Sequence, residues 1–250
     1  MTLPFVKMSG AGNDFILLRD AAKPGLLARR LCARRTSVGA DGIILMKGLS
    51  FRYYNADGSR AFCGNGCRCA AWYAYRSGLA GRRFTLKTDA GPVECRIIGR
   101  ERVRIAMPTA RILRRVRADG FAATCVDTGV PHAVVRVRAS ELPGLDVRGL
   151  GRVLRRHPSF GRGGTNVDFL ALSRGRVALR TYERGVEDET LSCGTGAVAA
   201  ALLCAERGPV RLSAPGGSFR VGFRPLGGGR FTDVWLEGPA KIVCEGVIRS

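Results

Sequence analysis

Histidine is almost missing from this 250-residue chain, with His132 and His157 the only two copies, and acidic residues number 20 against 41 basic ones. So few histidines leave little for a zinc site, because Cys63, Cys67 and Cys69 lack a second well-spaced pair of ligands. Long apolar runs are missing as well. The longest, Ala197 to Ala205, falls far short of the roughly 20 residues that cross a bilayer. The N-terminus reaches Gly10 and Asn13 without the apolar core of a signal peptide. The expectation is a soluble, cytoplasmic protein without membrane contact, its nine cysteines reduced.

The shortage of acid gives a formal charge of +21, which invites a nucleic-acid reading. The arginines are spread along the whole length, however, with dense groups only at Arg111, Arg114, Arg115 and Arg117 and at Arg152, Arg155 and Arg156. No zinc-finger spacing or aromatic RNA-binding pattern accompanies them. A solvated basic surface is expected, with RNA or DNA binding as the distant alternative. What the chain has in excess is glycine, 34 residues without a collagen period, placed where elements end. The length allows one large domain or two modest ones, with a real core in either case.

An internal repeat decides between these. Cys63-Gly64-Asn65-Gly66 is echoed by Cys193-Gly194-Thr195-Gly196, and each tetrad opens an Ala-rich segment. Each segment reaches a glycine, Gly78 or Gly208, that suits a helix end, so two helices of equal length are expected. Downstream, Phe84, Leu86 and Gly91 match Val210, Leu212 and Gly217, and Val103, Ile105 and Pro108 match Val234, Leu236 and Pro239. Alternating segments such as Val103 to Met107 and Arg176 to Tyr182 read as strands. The resulting fold class is α+β: two similar domains from an internal duplication, each a mainly antiparallel, barrel-like sheet around a central helix. The limits are residues 1–112 and 113–241, with a basic linker near Met107 to Arg117 and a last strand, 242–250, returning to the first domain.

The repeat also suggests chemistry. Each Cys precedes a helix N-terminus, where outward N–H groups and the helix dipole favour an anion and lower a thiol pKa. The glycines that follow let a carboxylate approach bare backbone. Two thiols from duplicated domains, facing each other across a cleft, make a stereoinversion device: one thiolate takes an α-proton and the other thiol delivers one to the opposite face. A disulfide between Cys63 and Cys193 is the alternative under oxidation. Cys32, Cys67, Cys69, Cys95, Cys125, Cys204 and Cys244 read as small hydrophobes. Gly10-Ala11-Gly12-Asn13 lacks the third glycine and helix of a dinucleotide fingerprint and reads as a turn between strands.

Lys7 to Phe15, Asn55 to Ser59, Cys63 to Gly66, Gly164 to Val167, Glu183 to Gly185 and Cys193 to Gly196 together resemble diaminopimelate epimerases. The resemblance runs in the family's order from residue 7 to the C-terminus. It implies that Cys63 and Cys193 are the acid/base pair and that the backbone of Gly64, Asn65, Gly194 and Thr195 holds the reacting carboxylate. Asn13, Asn55, Asn166 and Arg184 would grip the substrate, and Glu183 would bind its ammonium and, with His132, support catalysis. Neither pyridoxal phosphate nor a metal is expected. The substrate implied is diaminopimelate, converted from the LL to the meso form, by a homodimer. A related racemase of another amino acid is the alternative, and the asparagines also suit turns. Four features depart from the family's pattern: Val130 before Pro131-His132, Gly42 in place of a Gln, a short Asn55–Cys63 stretch, and Cys244 in place of an interface Tyr.

Overall fold

The computed structural model describes residues 2–173 and 175–249. The chain forms two compact units, one of residues Met1–Ile105 and Glu237–Ser250, the other of Ala106–Leu236. The first holds β1 (Thr2–Gly10), β2 (Asn13–Leu18), α1 (Pro24–Leu31), β3 (Gly42–Lys47), β4 (Ser50–Asn55), β5 (Arg60–Ala61), α2 (Gly64–Arg76), β6 (Arg83–Thr88), β7 (Gly91–Gly99) and β8 (Arg102–Ala106). The second starts with β9 (Ala110–Ala118), β10 (Phe121–Asp127), β11 (Pro131–Val137), α3 (Val147–Arg155), β12 (Asn166–Ser173), β13 (Arg176–Glu183) and β14 (Asp188–Thr190). It continues with α4 (Gly194–Leu202), β15 (Val210–Ala214), β16 (Gly217–Gly227) and β17 (Arg230–Pro239), before β18 (Lys241–Arg249) rejoins the first unit.

The duplication is visible in the pairing. In the first unit β1 pairs antiparallel with β2 and β18, β2 runs parallel to β3, and β4 runs parallel to β6. In the second, β10 pairs antiparallel with β11 and β9, β11 runs parallel to β12, and β13 runs parallel to β15. Antiparallel pairs complete each half, as in β3 with β4 and β12 with β13. Parallel neighbours need a crossover connection; α1 lies in that between β2 and β3 and α3 in that between β11 and β12, while α2 and α4 lie in the other two. The sequence reading had one helix per domain, so α1 and α3 are additions. Each covers the sheet from outside: Ala28 and Leu31 of α1 pack on Ile16, Leu18 and Ile43, while Val147 and Leu154 of α3 pack on Val135, Phe169 and Tyr182.

The central helices are apolar nearly all round, the mark of a helix inside a core. Ala70, Ala71 and Ala74 of α2, and Ala197, Ala199, Ala200 and Ala201 of α4, are fully buried. Their small side chains let the strands close around the helix. The two helices are not equal in length. α2 runs 13 residues and stops at Gly78, whose φ of 75° accepts the left-handed cap. α4 stops after nine residues at Leu202. Gly208 serves a different purpose there: a Cβ on it would lie 2.8 Å from the Gly222 backbone, so the residue allows two chains to approach.

The expected limits at 112/113 and 241/242 differ from the observed ones. The expected basic linker is strand β9, which pairs with β10 along nearly its whole length, and its exposed Arg111, Arg114, Arg115 and Arg117 flank the half-buried Ile112 and Val116. At the return, Glu237 is buried and takes Arg102 and Arg104 of the first unit as ion partners, which fixes its membership. Ala11 and Gly12 form the expected turn between β1 and β2, both with positive φ. Among the described residues, no helix is long and apolar enough to cross a membrane.

Candidate active site

Both tetrads start their helices with the same backbone. Cys63 caps α2 at φ −127°, ψ 113°, and Cys193 caps α4 at φ −117°, ψ 115°, so each thiol stands at the positive end of a buried helix. The side chains then differ. The Cys63 Sγ accepts from the Gly66 N–H at 3.4 Å, whereas the Cys193 Sγ lies 3.3 Å from the Thr195 hydroxyl. Burial, with the carboxylates of Glu183 and Asp168 adding to it, pushes the Cys193 thiol well above its ordinary pKa. A hydrogen bond with Cys95, then burial, raises Cys67, and burial chiefly raises Cys69, so these stay protonated packing groups.

Behind Cys63 lies a directional chain of hydrogen bonds. The Arg68 guanidinium, fully buried inside α2, donates to Asn65 Oδ1 at 2.7 Å. The Asn65 amide donates to Asn13 Oδ1, and Asn13 Nδ2 donates to Asp41 Oδ2 at 2.9 Å. A cation at one end and a carboxylate at the other leave each amide one orientation. Arg34 joins Asp41 to Asp14, and Lys7 also bonds Asp14. Burial acts to raise the Asp14 carboxyl, but Arg34 and Lys7 outweigh it and hold it below the ordinary range. Two of the expected substrate contacts, Asn13 and Asn65, are thus brought together. Asn55 is not among them: its Nδ2 bonds Ser59 Oγ at 2.9 Å within the turn that follows β4. A side chain at Gly42 would overlap the Tyr53 ring, whose hydroxyl bonds the Asp41 carbonyl, so no Gln fits there.

The second unit gathers a different set. Asn166 is buried and works as a strut, its Nδ2 donating to the Pro131 carbonyl at 3.0 Å and its Oδ1 accepting the Arg184 N–H at 2.8 Å. This ties the start of β11, which carries His132, to the end of β13, which carries Glu183 and Arg184. Glu183 accepts from the Thr190 hydroxyl at 3.0 Å, and the half-buried Arg184 reaches the Gly163 carbonyl. Val130 sits in the turn before β11, where its carbonyl accepts from Thr128. The structure adds residues that the sequence reading missed. Asp168 and Thr181 lie buried beside His132, and Arg68 and Asp41 end the chain behind Cys63. The signal for Asp168 and Arg68 was a charged residue within an apolar run, Val167-Asp168-Phe169 and Cys67-Arg68-Cys69.

The profile of the family described as diaminopimelate epimerase matches residues 5–113 and 124–228, which take in both tetrads and all of the residues above. The chain belongs to that family. The diaminopimelate epimerase of Chlorobaculum tepidum is 38% identical, over 96% of this chain and 99% of its own. That of Archaeoglobus fulgidus is 34% identical, over 100% and 97%. Among solved structures, a Bacillus anthracis phenazine biosynthesis protein of the PhzF family superposes with a TM-score of 0.78 at 12% identity, covering both chains fully. A probable proline racemase from Agrobacterium radiobacter superposes at 0.72 and 16% identity, over 99% of this chain and 92% of that one. At such identities these two share the fold alone. The family makes this chain an isomerase acting on amino acids.

Proposed function

We propose that this epimerase inverts one α-carbon of diaminopimelate, from the LL to the meso form, by proton transfer between Cys63 and Cys193. The observation that supports it best is the repeated device: a cysteine in extended backbone capping the central helix of each unit. Inversion needs a proton carrier on each face of the α-carbon, and a duplicated fold supplies one thiol from each copy. The N–H groups of Gly64, Asn65, Gly194 and Thr195, at the two helix starts, suit the carboxylate of the reacting centre. No cofactor is needed to hold the proton, so pyridoxal phosphate has no part in the reaction as proposed.

A substrate with an amino-acid group at each end calls for acceptors and a planar cation. Asn13, whose Oδ1 and Nδ2 are oriented by Asn65 and Asp41, and Arg184, held at its backbone by Asn166, fit the distal group. Glu183 and His132 act at the reacting end, Glu183 as the ammonium partner. Asn55 contributes by shaping its turn, and Asn166 by holding Arg184. The proposal includes a homodimer in the cytoplasm, working in lysine biosynthesis.

Exchange of the α-proton with solvent, assayed over a panel of amino acids, tests the substrate. Diaminopimelate is expected to exchange well above proline, hydroxyproline, glutamate and lysine. Equal or faster exchange of one of those would assign the chain to another amino acid.

A further inference from the structure

Beside the expected site residue His132, the second unit buries an acid, Asp168, that none of the expected contacts uses. Asp168 is fully buried on β12 between Val167 and Phe169, and His132 is 1% exposed on the adjacent β11. One Asp168 oxygen lies 2.6 Å from His132 Nδ1, and the other accepts the Thr181 hydroxyl at 2.7 Å. With a carboxylate so close, the ring proton belongs on Nδ1. His132 Nε2 is buried and has no hydrogen-bond partner among the described residues, so with the proton on Nδ1 it carries a bare lone pair. Such a group costs stability unless something uses it.

The fold itself shows that the pair is not required for packing. Across the duplicated ladders, Asp168 opposes Thr181 and Val134, as Ile44 opposes Tyr53 and Leu17. His132 pairs with Asn166 as Phe15 pairs with Gly42. The first unit therefore fills the same two places with Phe15 and Ile44, both fully buried. The glycines of the two tetrads confirm the match. A Cβ on Gly66 would lie 3.6 Å from Ile44 Cδ1, and one on Gly196 would lie 2.3 Å from Asp168 Oδ1 and 3.3 Å from Cys193 Cβ. Thus Asp168 lies directly against the turn that Cys193 caps, where its counterpart is an aliphatic side chain.

We propose that Asp168 is a positioning residue of the epimerase: clamped by Thr181 and lying against the turn that Cys193 caps, it holds His132 in the Nδ1–H form and leaves its buried Nε2 as an acceptor. Asp168 thereby fixes which ring nitrogen can accept a hydrogen bond, and it does so through His132 without touching the substrate. The role rests on Cys193 being one of the two proton carriers.

The chain's two histidines make the test direct. His157 Nδ1 accepts from the Ser159 N–H, so its ring carries the proton on Nε2, opposite to His132. Nitrogen-15 spectra of the full-length protein labelled at histidine are expected to show one ring of each form, assigned with His157→Gln. In Asp168→Asn the amide oxygen keeps the Thr181 bond and its NH2 faces Nδ1, so the His132 signals are expected to reverse. The turnover number should fall roughly 100-fold, the low end of what a placed acid/base group supplies, with KM changed less than about twofold. The double variant His132→Phe, Asp168→Ile copies the first unit's packing and is expected to fold with wild-type circular dichroism while losing turnover. A wild-type His132 protonated on Nε2, wild-type turnover in Asp168→Asn, or an active double variant would each overturn the proposal. The tautomer reading involves no cysteine, so it stands or falls separately from the two-thiol mechanism.

Discussion

The two glycines at the fourth position of the tetrads, Gly66 and Gly196, predict opposite outcomes for the same substitution. Both are helical, so replacing either with Ala gains about 0.5–1 kcal/mol from a less flexible unfolded chain. At Gly66 the new methyl meets Cys63 and Ile44 at 3.5–3.7 Å, ordinary packing distances, so Gly66→Ala should be neutral or stabilising by up to that gain. At Gly196 the methyl falls 2.3 Å from Asp168 Oδ1. That carboxylate is held at both oxygens, by His132 and Thr181, and has no flexible stem on which to retreat. Either α4 shifts, at the roughly 1–3 kcal/mol of an overpacked core, or the buried pair opens, at about 3–5 kcal/mol. Taking the cheaper route at its midpoint of about 2 kcal/mol and subtracting the gain leaves Gly196→Ala destabilised by about 1–1.5 kcal/mol. For a chain of this size that is a fall in Tm of about 2–6 °C, against no fall for Gly66→Ala. Thermal melts of the two variants and wild type decide it. A Gly196→Ala protein that melts at or above the wild-type temperature would refute the contact between Asp168 and the α4 turn.

Two further outcomes follow from the site. Arg68→Met removes a buried charge and an Asn65 contact of similar size, so stability should change by less than about 2 kcal/mol, since an aliphatic isostere often replaces a buried ion without loss. With the amides of Asn65 and Asn13 no longer oriented, kcat/KM should fall about tenfold or more; unchanged kinetics would remove Arg68 from the account. Cys193, raised by burial and by Glu183 and Asp168, is protonated at neutral pH in the substrate-free protein. Its alkylation by iodoacetamide, followed at that one site by mass spectrometry, should keep rising with pH through 9, the ordinary thiol value. A plateau reached below pH 8 would contradict the raised pKa.

The duplication was legible because Gly, Cys and Ala recur in order, and because the strand pairs after each tetrad keep their alternation. Less was legible where one signal imitated another. The arginines between Arg111 and Arg117 looked like a linker, yet they are the outward residues of a strand whose inward partners are few and small. α3, with Gly149 and Gly151 inside it, was not among the expected helices; Gly151 is there because a Cβ would lie 2.3 Å from Tyr182 Cβ and 2.4 Å from its ring. The equal helix lengths were an inference from glycine spacing, and Gly208 answers to backbone contact, not to a cap. The two cysteines, His132 and Arg184 were named from motifs, but their supports were not. Arg68 and Asp168 act through partners 3 to 36 residues away, a pairing that only the folded sheet reveals.

The two-thiol reading is tested most directly by deuterium incorporation from D2O into LL- and meso-diaminopimelate, followed separately with wild type, Cys63→Ala and Cys193→Ala. Wild type should interconvert the two epimers with deuterium at the inverted carbon. Each variant should lose interconversion, and any exchange that survives should be confined to one epimer, a different one for each variant, because each retains the carrier for one face only. Full interconversion by either variant, or exchange of the same epimer by both, would contradict a proton carrier on each face.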